Sequence, residues 1–166
     1  MAPTGFISNT RPLLSGTFDP GSGGAVLTNT FAITLDGTAL QSGQVVTSGG
    51  YNVTLPATTT LSNAAHTVNV KINNPAGLDT EAYTFTVDSI APSVVITANH
   101  TTGPNIDVDW QGSDPAPSSQ SLKYDVQYKV GSAVTFTGWL TNVHPSNCGN
   151  IFEIERQELF NLGHLW

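Results

Sequence analysis

Apolar and polar side chains alternate along most of this 166-residue chain. Phe31, Ile33 and Leu35 alternate with Ala32 and Thr34 before the chain reaches Asp36-Gly37. Tyr51, Val53 and Leu55 follow Gly49-Gly50, and Val68, Val70 and Ile72 alternate with Asn69 and Lys71. A period of two puts one set of side chains on one face of a pleated strand, so each run predicts a strand with one buried and one wet face. The punctuation agrees with this. Asp-Gly between alternating runs predicts a two-residue hairpin, because both residues tolerate positive φ. Asn74-Pro75-Ala76-Gly77 predicts a turn before Tyr83, Phe85 and Val87. Leu13 to Phe18 supplies an opening strand, and a Pro/Gly loop follows at 19–24. Residues 11–88 thus carry roughly six or seven strands, the density of a β-sandwich.

Pro92 ends the stretch Asp88-Ser89-Ile90-Ala91-Pro92, fixing its own φ and biasing Ala91 towards extended backbone. This predicts a short, stiff linker over 89–92. Beyond it, strands are predicted from Val94–Ile96, from Ile106, Val108 and Trp110, from the clean alternation of Leu122, Tyr124, Val126, Tyr128 and Val130, and from Phe136 to Leu140. After Val143 the alternation stops. The stretch 144–166 holds Glu153, Glu155 and Glu158, and its apolar residues suit either a short helix, capped by Asn150 and stopped by Gly163, or disorder. Residues 1–10 read as a disordered lead. The expected fold class is therefore all-β: one complete sandwich over 11–88, an incomplete second one over 93–143, and an unrelated tail. In a half sandwich the apolar faces of strands 106–110 and 122–130, and the sheet edges, are expected to lie open.

Composition narrows the function classes. Hydrophobic residues make up 39% of the chain but charged ones only 10%, well under the roughly 25% usual in soluble domains. Thr, Ser, Asn and Gly take up the difference, and β-branched Thr suits half-buried strands. Twelve acids against five bases give a net charge of −7. Lys71, Lys123 and Lys129 are scattered, so no basic stripe exists to neutralise phosphates and nucleic acid is not an expected partner. No apolar run approaches the ~18 residues of a membrane span. Met1 to Ser8 has neither the basic nor the apolar region of a secretory signal. Cys148 is the sole cysteine, so neither an intrachain disulfide nor a thiolate cluster is expected.

Residues 11–88 resemble a bacterial immunoglobulin-like repeat. Leu-Ser-Gly-Thr-Phe opens it, Ile33-Thr-Leu-Asp-Gly stands in the middle, and Ala65-His66-Thr-Val-Asn-Val is followed by Asn-Pro-Ala-Gly and Tyr83-Thr-Phe-Thr-Val-Asp. Asp88-Ser-Ile-Ala-Pro-Ser looks like the junction between such repeats. Residues 93–142 are similar to the first half of a fibronectin type III domain. Val108-Asp-Trp-Gln-Gly-Ser-Asp114 takes the place of its core tryptophan strand, Tyr124-Asp-Val-Gln-Tyr128 that of the next, and Gly138-Trp139-Leu140 continues the pattern. The resemblance implies an immunoglobulin-like sandwich plus a truncated second one, from a gene fragment of a secreted or cell-surface modular protein. It further implies a non-catalytic spacer or adhesion role, with neighbouring modules and a protein or glycan ligand as partners. The competing expectation is a carbohydrate-binding accessory module of an extracellular hydrolase, which exposed, coplanar aromatic rings would mark.

Candidate chemistry is sparse. His66, His100, His144 and His164 are spread along the chain without a Gly-x-Ser-x-Gly or His-Glu-x-x-His pattern, so no enzyme and no organic cofactor is expected. His66 heads the 68–72 strand and His100 is placed in a loop. Calcium is the cation that the loop carboxylates suit, since it takes about 6–8 oxygen ligands. Its candidates are Asp19, Asp36 and Asp79, placed in loops, and Asp88 at the junction. No Asp-x-Asp-x-Asp-Gly loop is present, and turn aspartates ordinarily bind their own backbone. Asp107 and Asp109 share the strand face opposite Trp110. Trp110, Tyr124 and Tyr128 fall on the inward period and read as core. Trp139, placed near a sheet edge, is the candidate exposed aromatic for a sugar ring.

Overall fold

The computed structural model of the chain describes residues 1–102, 105–117, 122–130, 133–143 and 158–164, and in them every regular element is a β-strand. The chain divides into two compact units, Met1–Ile90 and Ala91–Trp166. No helix among the described residues is long and apolar enough to cross a membrane.

The first unit contains β1 (Gly5–Ile7), β2 (Leu14–Thr17), β3 (Leu27–Leu35), β4 (Thr38–Ala39), β5 (Gln44–Thr47), β6 (Gly50–Val53), β7 (Ala65–Asn74) and β8 (Gly77–Val87). They form a five-stranded sheet, β1-β8-β7-β3-β4, and a three-stranded sheet, β2-β6-β5. The Asp36-Gly37 hairpin forms as its sequence demands. Leu35 faces Thr38 across the turn, and Asp36 (φ 50°) and Gly37 (φ 80°) both adopt the positive φ of a tight two-residue loop. At the β7–β8 turn the Asn74 carboxamide oxygen accepts from the amides of Ala76 (2.9 Å) and Gly77 (3.1 Å). The alternating residues of both sheets meet in one core. Leu14, Tyr51 and Val53 come from the smaller sheet, and Ile33, Leu35, Val68, Val70, Phe85 and Val87 from the larger. Burying side chains of this size stabilises the fold by roughly 1.5–3 kcal/mol each.

The lead is not disordered. Ala2 and Ser15 exchange both backbone hydrogen bonds at 2.8 Å. Gly5, Phe6 and Ile7 then pair in parallel with Phe85, Thr86 and Val87, and Ile7 packs against the core. A three-residue strand is too short to show a period. What orders it is the open edge of β8, whose backbone groups need partners.

The second unit contains β9 (Ser93–Thr102), β10 (Asn105–Ser113), β11 (Tyr124–Val130), β12 (Thr137–Val143) and β13 (Glu158–His164). The strands β9 and β10 pair antiparallel, with a bulge between Asp109 and Trp110. The other sheet has the order β12-β11-β13. Two expectations need correction. At the side chains described, the apolar faces of β10 and β11 are not open: Val108 and Trp110 from one sheet are buried with Tyr124 and Val126 from the other, and Val94, Leu122, Leu140 and Val143 pack around them. The tail is neither helical nor disordered over 158–164, which pairs antiparallel with β11 from Tyr124↔His164 to Val130↔Glu158. A short apolar run such as Leu159-Phe160-Asn161-Leu162 suits helix or strand equally well. The free edge of β11 decides between them. The proposed cap Asn150 and Cys148 lie outside the described residues.

Candidate functional site

The four-residue strands of the smaller sheet are much shorter than β7 and β8, so the β7–β8 hairpin runs past them. A cleft of about 360 Å³ opens there, with Phe18, Tyr51, Val70 and Ile72 among its walls and Asp19, Asp79 and Glu81 also lining it. Asp79 is no loop residue. It lies within β8 opposite Ile72, as Glu81 lies opposite Val70, and both continue the face that carries Tyr83, Phe85 and Val87. Glu81 is the carboxylate that sequence reading missed; its position on the inward phase of β8 was the available signal.

The cleft brings Asp19 and Asp79 together but not Asp36 or Asp88. Each aspartate also serves its own backbone. Asp19 accepts from the Gly21 amide (3.0 Å), Asp79 from Thr80 (2.9 Å) and Asp88 from Ile90 (3.3 Å). Among the described residues, no three acidic, imidazole or thiol groups converge closely enough to hold a metal ion. Two side chains of the cleft carry polar atoms without a hydrogen-bond partner, the Tyr51 hydroxyl and Asn73 Oδ1, and both atoms are sealed from solvent. Burial pushes the Tyr51 phenol up. The neighbouring Tyr83 hydroxyl donates to the Ala2 carbonyl at 3.1 Å.

A second cluster forms around His66. This side chain falls on the buried phase of β7 and is only 5% exposed. Its Nδ1 lies 2.7 Å from Asp36 Oδ2, its Nε2 lies 3.0 Å from the Ser62 carbonyl, and its ring is tilted against Phe85 with centroids 5.5 Å apart. The other Asp36 oxygen accepts from the Thr67 amide (2.8 Å), and the Asp36 amide donates to the Thr67 carbonyl (2.9 Å). Both Asp36 oxygens are therefore engaged by the protein itself. Burial alone would push the His66 pKa down, but the hydrogen bonds to Asp36 and Ser62 and the Asp36 charge outweigh it and hold the imidazole above its usual value. Burial would likewise raise Asp36; the hydrogen bonds from His66 and Thr67 outweigh it and leave the carboxyl below its usual value. Both ring nitrogens are engaged by acceptors, so neither is free to take a proton from a nucleophile.

In the second unit, Trp110 and Tyr124 serve packing. Trp110 and Tyr124 meet edge to face, with centroids 6.1 Å apart and planes at 61°, and both are buried. Tyr128 is half-buried, and Lys129 Nζ sits 5.2 Å from the centre of the Phe136 ring. Trp139 belongs to β12, but its side chain lies outside the described residues, as do those of Asp107, Asp109 and His164. His100 is in β9 opposite Asp107, and not in a loop; its side chain and all of His144 are also outside the described residues. No protein-family model matches the chain, and no match emerges among curated proteins or solved structures.

Proposed function

We propose that this chain is a non-catalytic structural module of a secreted or cell-surface multidomain protein: an immunoglobulin-like sandwich followed by a fibronectin type III-like one, which spaces or presents neighbouring modules and contributes to adhesion. The observation that carries this reading is the direction of the chain through the first unit. Met1 lines the cleft beside Asp79 and Glu81, β1 runs parallel to the far end of β8, and the chain leaves past Val87. The two ends of the unit are thus separated along β8 by on the order of 20 Å. A unit traversed from one end to the other is suited to head-to-tail stringing. Pulling its ends loads the parallel β1–β8 hydrogen bonds in shear, together. The sheet order supports the immunoglobulin-like part, with strands from both halves of the unit interleaved in each sheet, as in Greek-key sandwiches. Burial of Tyr51, Trp110 and Tyr124 speaks against a stacking platform for sugars.

Stretching single chains by their ends tests the proposal. The first unit should unfold in one abrupt force peak, and removing residues 1–7 should lower that peak severalfold while circular dichroism still reports a folded sheet. An unchanged peak overturns the load-bearing reading. Saturable binding on a glycan array, lost in Trp139→Ala, overturns it in favour of a sugar-binding accessory module.

A further inference from the structure

We infer that His66, Asp36 and the Ser62 carbonyl form a proton-operated latch, which holds the 54–64 connection on the first sandwich when the imidazole is doubly protonated and releases it when one proton leaves for solvent. That connection crosses from the smaller sheet (β6) to the larger (β7). It contributes Leu55 and Leu61 to the core and is tied elsewhere by the Leu61 amide on the Thr10 carbonyl (3.0 Å) and by Arg11 Nη2 on the Leu55 carbonyl (3.2 Å). Between Leu61 and β7, the Ser62–His66 bond pins it from beneath, beside the Ser89 amide and hydroxyl on Asn63 Oδ1 (2.9 Å each) and the Val87 amide on the Ala64 carbonyl (2.9 Å).

The geometry requires the second proton. Both groups facing the ring nitrogens are acceptors without a hydrogen to give, a carboxylate at 2.7 Å and a backbone carbonyl at 3.0 Å. A neutral imidazole has one N–H, so it can satisfy one of them. The carboxylate bond is charge-assisted and is kept. The Nε2 lone pair then points at the Ser62 oxygen, so an attraction becomes a repulsion at the loop. Each element packed on His66 presents a defined group. The β3–β4 turn brings Asp36, the charged group that faces the ring; β8 brings the uncharged Phe85; the connection brings only the Ser62 carbonyl.

Because the His66 pKa is raised in the fold, its contribution is complete below the ordinary histidine value of about 6.5 and is lost as pH rises through the higher folded value. The Asp36 pKa is lowered, so its contribution holds above the ordinary carboxyl value and is lost as pH falls through the lower folded one. The latch is closed in the weakly acidic window between, and opening on the alkaline side begins at Ser62.

Nitrogen NMR and amide exchange on the full chain test this. At pH 6 both His66 nitrogens should carry protons. As the ring titrates, the protection of the Leu61 and Ser89 amides, which bond from and onto this connection, corrected for intrinsic exchange, should fall about tenfold, the scale of a hydrogen bond to a charged group, while Val68 and Val70 keep theirs. His66→Gln should abolish the pH step, and Asp36→Asn, which retains an acceptor, should move the step to lower pH. A single neutral tautomer at pH 6, or the same step persisting in either variant, overturns the latch.

Discussion

The first unit fills its sandwich mainly with aliphatic side chains from seven of its strands' inward phases, among them Leu14, Ile33, Val53, Val68, Val70 and Val87 around Phe85 and Tyr51. The second rests on four buried residues among those described, Val108, Trp110, Tyr124 and Val126, and two of these are aromatic with an unpaired polar atom each, Trp110 Nε1 and the Tyr124 hydroxyl. An aliphatic core spreads its stabilisation over many interlocking contacts, so no single residue carries it. A small aromatic core concentrates the same free energy in a few anchors; each orphaned donor adds a cost, which the larger core also bears at the Tyr51 hydroxyl. The units have one solution in common. Each is completed by a short strand from a segment without clear alternation, β1 on the edge of β8 and β13 on the edge of β11. An open sheet edge captures such segments because it offers a ready row of backbone partners.

The sharpest test of this contrast is to end the chain at Val143. Losing β13 frees one edge of β11, the strand that holds Tyr124 and Val126, and removes its backbone pairing from Tyr124 to Val130. The cooperative melting of the second unit should disappear, together with the near-ultraviolet signal of Trp110, while the first unit melts as before. Survival of the Trp110 signal would mean that β9 to β12 alone make a stable sandwich. A smaller but still large effect is expected from single anchors. Tyr124→Ala in the second unit and Phe85→Ala in the first should each cost about 3–5 kcal/mol in the unit concerned. In calorimetry the first variant should lose its weaker transition altogether, whereas the second should shift its stronger one without abolishing it, since Leu14, Val68 and Val87 remain around the gap. If both lose their transitions alike, the two cores are equally dependent on single residues.

What could be read from the sequence was whatever is local. The hairpin at Leu35-Asp36-Gly37-Thr38 and the inward phase of Tyr124 and Val126 follow from period two and turn chemistry, and both appear as the residues dictate. β1 and β13 could not be read, because each is specified by its partner's edge and not by its own pattern. Asp79 was misplaced because aspartate is a poor strand former and follows a strong turn signal directly, while β8 starts at Gly77 with no intervening loop. The His66–Asp36 cluster joins residues thirty positions apart. A histidine on the buried phase of β7, next to a strand of hydrophobic residues, was the hint that it needed a polar partner, but only the register of β3 against β7 names Asp36.

The smallest of these effects bears on how tightly each unit is built. At Gly43 (φ 73°) an added Cβ would meet the Thr54 carbonyl, and the Gly43 carbonyl already accepts from the Thr54 amide at 2.9 Å. At Gly112 φ is unremarkable, and the obstacles are side chains: the Tyr124 hydroxyl, and Leu122 Cδ1 at 2.9 Å. Gly43→Ala therefore combines backbone strain with a neighbour that cannot turn away, and should cost the first unit up to about 3 kcal/mol. Gly112→Ala meets groups that can tip aside in a small core, and should cost the second unit about 1–2 kcal/mol. Denaturant unfolding of the two variants orders them. A larger loss at Gly112 would show that Tyr124 is locked more rigidly than the backbone around β5 and β6, and that the smaller core is the tighter of the two.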